Sequence, residues 1–164
     1  MVTKINGTTG IDKVQNGVVT SSSLASGVTL DAYGFHAYRT STVNVNNATI
    51  PWNATKIDTE SAFNTSTGIY TIPKTGYWLF HLIITSAGAQ GAPLFALHVD
   101  GVRVRDMIEG LSFSTNTERH ASGIVYCTSG QSARIDVGIT AFDVQGNSTG
   151  GEFQSSFMGF FIGN

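Results

Sequence analysis

Gly76-Tyr77-Trp78-Leu79-Phe80-His81-Leu82-Ile83-Ile84 carries bulky groups on both sides of an extended chain. Successive side chains of a strand point to opposite faces. Trp78, Phe80, Leu82 and Ile84 therefore share one face, and Tyr77, Leu79, His81 and Ile83 share the other. An antiparallel strand with one wet side alternates apolar and polar residues, and this stretch has no wet side. The C-terminal run repeats the pattern, with Phe157, Gly159 and Phe161 alternating with Met158, Phe160 and Ile162. No helical period occurs anywhere in the chain to supply a cover. The second surface is therefore read as another copy of the same chain. Tyr77, Leu79, His81, Ile83, Phe157 and Phe161 are assigned to the subunit interface and its supporting core.

Composition agrees with an all-β chain that carries little charge. The 164 residues suit one domain with an appendage and can bury a true core. Charged residues make up 12%, against about 25% in ordinary soluble domains. A net charge of −2 provides no basic footprint for nucleic acid or an anionic membrane surface. No apolar window reaches the length of a spanning helix, so membrane insertion is not expected. Residues 1–6 lack the apolar core of a signal peptide. Without one, the sequons at Asn6, Asn47, Asn53, Asn64 and Asn147 read as chance in an Asn/Thr-rich chain. Cys127 stands alone in the apolar run Ile124-Val125-Tyr126-Cys127 and reads as a buried small hydrophobe.

Residues 1–32 are small and polar, with thinly spaced apolar residues and too little apolar area for an independent core. They read as an extended linker or as a stalk whose apolar residues meet their copies. From Tyr33 onward strand signals recur. Tyr33-Gly34-Phe35-His36-Ala37-Tyr38-Arg39 comes first, then Val43 and Val45 alternating with asparagines. Thr49-Ile50-Pro51-Trp52 contains a proline and is expected at an edge or bend. Ile69-Tyr70-Thr71-Ile72 precedes the opening stretch, and residues 94–99 follow it. Asp100-Gly101 is a hairpin signal before the alternating Val102-Arg103-Val104-Arg105. Residues 109–117 show no readable pattern, 119–128 and 133–141 are strands, 143–152 form the longest polar loop, and 153–162 form the last strand. About eight to ten short antiparallel strands at this spacing indicate a β-sandwich.

The order of these pieces resembles the complement C1q and tumour necrosis factor jelly roll, most closely its C1q-like branch. Phe35-His36-Ala37-Tyr38-Arg39 is similar to that branch's opening F-S-A-x-R. Residues 63–80, with Phe63-Asn64, Gly68-Ile69-Tyr70-Thr71-Ile72-Pro73 and Gly76-Tyr77-Trp78-Leu79-Phe80, resemble its central signature with the aromatic order shifted. Val99-Asp100-Gly101, Ser122-Gly123-Ile124-Val125-Tyr126 with Ser129-Gly130-Gln131, and Phe157-Met158-Gly159-Phe160-Phe161-Ile162 continue the series; Gln131 replaces an acid. The resemblance spans residues 33–164 and implies a homotrimer around a threefold axis, but no particular ligand. Gly10-Ile11-Asp12-Lys13-Val14-Gln15-Asn16-Gly17-Val18-Val19-Thr20-Ser21-Ser22-Ser23-Leu24-Ala25 resembles short segments common in phage tail and head fibre proteins.

Candidate chemistry is sparse. His36, His81, His98 and His120 form no local ligand pair, although a threefold axis could gather three copies of His81 or His36 around an ion. No nucleophile elbow with a downstream acid and histidine stands out, so the chain is read as no enzyme, with no cofactor. C1q-like trimers in some cases bind calcium near the top of the axis, which makes Asp100, Asp106, Glu109 and Asp136 the acidic candidates. Trp52, Asp106, Glu109 and Asn147 are the candidate ligand-facing residues, Trp52 by stacking on a sugar. The expected function is that of a trimeric structural and receptor-binding module of a phage fibre. It would assemble with itself, sit on the virion and attach to a host glycan or protein through loops 86–93, 106–117 and 143–152. The alternatives are a structural trimerisation or decoration cap that binds nothing, and a C1q-like protein of a bacterial cell or spore surface.

Overall fold

The computed structural model describes residues 32–138, 141–147 and 154–164. The expected linker or stalk at residues 1–32 lies outside them except for its last residue. Among the described residues the chain is all strand and turn, with no helix.

Five strands make the first sheet: β1 (Gly34–Tyr38), β4 (Ala54–Asp58), β7 (Gly76–Thr85), β10 (Glu118–Cys127) and β13 (Ser156–Gly163). Their order is β10-β7-β13-β1-β4, antiparallel throughout. The second sheet runs β5 (Phe63–Asn64), β6 (Ile69–Thr71), β11 (Ser132–Gly138), β8 (Leu94–Val99), β9 (Val102–Ile108), with β3 (Ala48–Thr49) also on β11. β2 (Val43–Val45) pairs with β12 (Phe142–Val144). The predicted sandwich is present but more finely divided, into thirteen segments among the described residues. Several of these are two or three residues long, too short to show a period in sequence.

The core lies between the sheets, where alternation places it. Trp78, Phe80, Leu82 and Ile84 of β7 are fully buried and face Leu97, Ile135 and their neighbours across the sandwich. Rings fill the middle: Phe35 lies 4.1 Å from Tyr70 and 4.9 Å from Phe157 between centroids. Gly159 makes room for this, because a Cβ there would stand 2.4 Å from Phe35 Cε1. At one end Phe113 stacks edge-on to Phe142 at 4.8 Å, and Phe142 to Phe95 at 5.0 Å. Burial of such aromatic area supplies most of the driving force for closing the sandwich.

Two expectations change here. Trp52 is not ligand-facing: it is fully buried beside Phe157. Arg39, itself buried, donates from Nη1 to Pro51 O and from Nε to Ser41 O at 3.1 Å, which pins the segment inward. The proline does bend the chain, but toward the core. Phe157 and Phe161 lie on the inner side of β13, so they belong to the core part of their assignment and not to the outward face. Phe157 is fully buried, and Phe161 packs edge-on to Trp78 at 5.7 Å and Tyr33 at 6.1 Å. The alternating stretch of β9 buries neither of its sides within the chain. Residues 102–106 are all exposed, because β9 is an edge strand and its pairing with β8 is broken by two register shifts.

Candidate functional site: the outward face of the five-stranded sheet

The register of β10, β7, β13, β1 and β4 lays the outward side chains in rows. One row holds Ile124, Leu79, Phe160 and Gly34. The next holds Ser122, His81, Met158, His36 and Ile57. A third holds His120, Ile83, Ser156 and Tyr38, and beyond the first row Tyr126 opposes Tyr77. Gly34 lets the Phe160 ring lie flat across β1, since a Cβ there would meet Phe160 Cδ1 at 2.6 Å.

This face is apolar and open. Tyr77 is 48% exposed, Ile124 57%, Tyr126 56%, Phe160 38% and Ile162 51%. Tyr77 and Tyr126 meet edge-on at 5.2 Å, so the aromatic edge is ordered by its own contacts. Tyr77, Leu79, His81 and Ile83 of the predicted interface do share this face. The residues that join them from β13 are Met158, Phe160 and Ile162. The sequence shows both halves of the alternation, but it cannot say which half of β13 turns inward.

Two polar pairs stand on the face. His81 Nδ1 lies 2.6 Å from Ser122 Oγ, and His120 Nε2 lies 2.7 Å from Glu118 Oε1. The two imidazoles are 5.7 Å apart between centroids. Burial, then the charge of His120, holds the His81 imidazole below its ordinary value. Burial, then Lys56, does the same for His36. The Ser122–His81 contact is not a hydrolytic triad, because the carboxylate serves the other histidine.

The acidic candidates are dispersed. Asp100 Oδ1 accepts from Ser132 N at 2.8 Å. Asp106 is exposed and accepts from Arg103 Nε. Asp136 takes Arg134 Nε through both oxygens at 3.0 and 3.1 Å and Thr49 Oγ1 at 2.6 Å. Glu109 lines an open groove of about 440 Å³ with Met107, Leu111, Glu118, Arg119 and His120. Among the described residues no group of three or more His, Cys, Asp or Glu is placed to hold a metal ion.

At one end of the sandwich Gln90 ties three loops together. Its backbone exchanges two hydrogen bonds with Phe113, at 2.8 and 3.0 Å. Its side-chain oxygen accepts from Asp143 N at 2.9 Å, and its Nε2 donates to Asp143 O at 3.4 Å. Segments 86–93, 109–117 and the start of 143–152 thus sit on one clip, over the Phe113–Phe142–Phe95 rings. Asn147 donates its backbone N–H to Arg39 O at 3.2 Å; the rest of its loop, 148–153, lies outside the described residues. Nothing in the sequence marks Gln90 or Phe113, since neither belongs to a periodic run.

No family model matches the chain, and no curated protein matches it. Among solved structures it is similar to the globular domain of zebrafish complement 1qA protein, at 17% identity and TM-score 0.56 over 80% of this chain and 99% of that one. It is also similar to the Eiger TNF of S. frugiperda (12%, TM-score 0.56, 79% and 90%) and to murine APRIL at pH 8.5 (11%, TM-score 0.57, 79% and 98%). At these identities the likeness concerns the fold: the described chain is a C1q/TNF-like jelly roll.

Proposed function

We propose that this chain is a non-enzymatic homotrimeric module of a phage fibre, serving assembly and attachment to the host surface. The outward face of the five-stranded sheet carries this reading. Its rows of Ile124, Leu79 and Phe160, flanked by Tyr77, Tyr126 and Ile162, are apolar at the centre of a large sheet. An open apolar face of that kind marks an association surface. Three copies packed face to face around an axis cover it, in line with the trimer that the sequence resemblance implies. The fibre assignment rests on the resemblance of residues 10–25 to fibre proteins.

Attachment is assigned to the end where Gln90 gathers the loops. Three copies of that clip would present repeated weak sites, which gain avidity by binding together. The first test is mass in solution at high dilution, with three chains expected. A stable single chain would remove the reading's basis. Replacing residues 86–93 by a short Gly/Ser linker should then abolish adsorption to the host while leaving the assembled mass unchanged. Adsorption that persists would favour a cap that binds nothing through this end.

A further inference from the structure

We propose that His81 and His120 form a binding site for a divalent transition-metal ion of the zinc class, where β7 and β10 pair on the outward face. The inference does not rest on assembly, because both ligands come from one chain.

Two observations carry it. The rings stand diagonally across two hydrogen-bonded strands, 5.7 Å apart between centroids and inclined by 42°. Imidazoles sharing one tetrahedral ion at about 2.0–2.1 Å from each nitrogen place their ring centres about 5–6 Å apart. The centroid spacing therefore lies in the range that one shared ion requires. Next, each ring already has one nitrogen held by an oxygen: His81 Nδ1 by Ser122 Oγ and His120 Nε2 by Glu118 Oε1. When those nitrogens carry the protons and donate, His81 Nε2 and His120 Nδ1 are left as lone-pair donors. A carboxylate or hydroxyl on the far nitrogen is the arrangement that fixes tautomer and orientation in metal-bound histidines.

Two neutral imidazoles suit zinc, nickel or copper rather than calcium, which prefers oxygen. The pair supplies two ligands and leaves the other positions to water. The site stands at the β10 edge of the sheet, where His120 is half-exposed.

The test is calorimetric titration of chelator-treated, untagged protein with zinc chloride, about one pH unit above the ordinary imidazole value. Saturable binding near one ion per chain is expected. His120→Gln or His81→Gln should weaken it at least about tenfold, and Glu118→Gln about 10–100-fold through the lost orienting carboxylate. His98→Gln, on the other sheet, should leave it unchanged. Nitrogen NMR of the unmutated protein gives a readout independent of folding in any variant: zinc should move the His81 Nε2 and His120 Nδ1 resonances. Unsaturable heats, or imidazole resonances that zinc leaves in place, would overturn the proposal.

Discussion

Phe160→Asp tests the outward face with the least disturbance to the chain that bears it. Phe160 is 38% exposed, and its ring lies over Gly34 on the surface of the sheet. A phenylalanine presents roughly 200 Å² in all, so about 75 Å² remains to be covered, worth about 2 kcal/mol at 25 cal/mol per Å². Three copies lose about 6 kcal/mol, or about four decades in the assembly constant. A carboxylate enclosed between subunits adds several kcal/mol more. The folded chain should lose far less, because the new carboxylate stays in water in the monomer. Sedimentation velocity should show single chains with an unchanged far-ultraviolet spectrum. A trimer that persists in the variant at micromolar concentration would refute the placement of the interface. Phe161→Asp cannot serve this purpose, since Phe161 packs on Trp78 within the chain and its loss would unfold the domain.

Trp52→Ala should cost about 3–5 kcal/mol in urea denaturation, as for other large buried aromatics; a loss under about 1 kcal/mol would contradict its burial. Stability should fall as pH drops below about 6.5, the ordinary imidazole value. The unfolded chain then binds protons that His81 and His36, held low by burial, do not. His81→Gln with His36→Gln should flatten that limb of the pH profile. The Cys127 thiol is raised from 9.0 to about 11, by burial and then by Asp100. Unfolded cysteine ionises first as pH rises past 9.0, so this contribution is present below that value and lost toward about 11. In the native protein Cys127 should react with a thiol reagent only at the rate of unfolding, and prompt modification would show an opening at β10.

The two apolar faces of residues 76–84 were legible because a strand's period of two is set by the backbone. Ala54–Asp58 was not legible as a strand, being polar and short; it pairs at the sheet edge because β1 offers it hydrogen bonds. Trp52 follows a proline, which in sequence marks an edge. It lies in the core because Arg39, thirteen positions earlier, holds the preceding carbonyl from inside.

The sequence alone determined that this chain is a β-sandwich and that its central strand carries more apolar surface than one side can take. Only the tertiary structure decided which half of β13 faces out, that Gln90 joins three loops, and that His81 and His120 stand side by side. Alternation fixes that neighbouring residues point in opposite directions, but the sign of that alternation is set by pairing across the sheet. Contacts between residues dozens of positions apart depend on register, and register forms only when the sheets close on a common core.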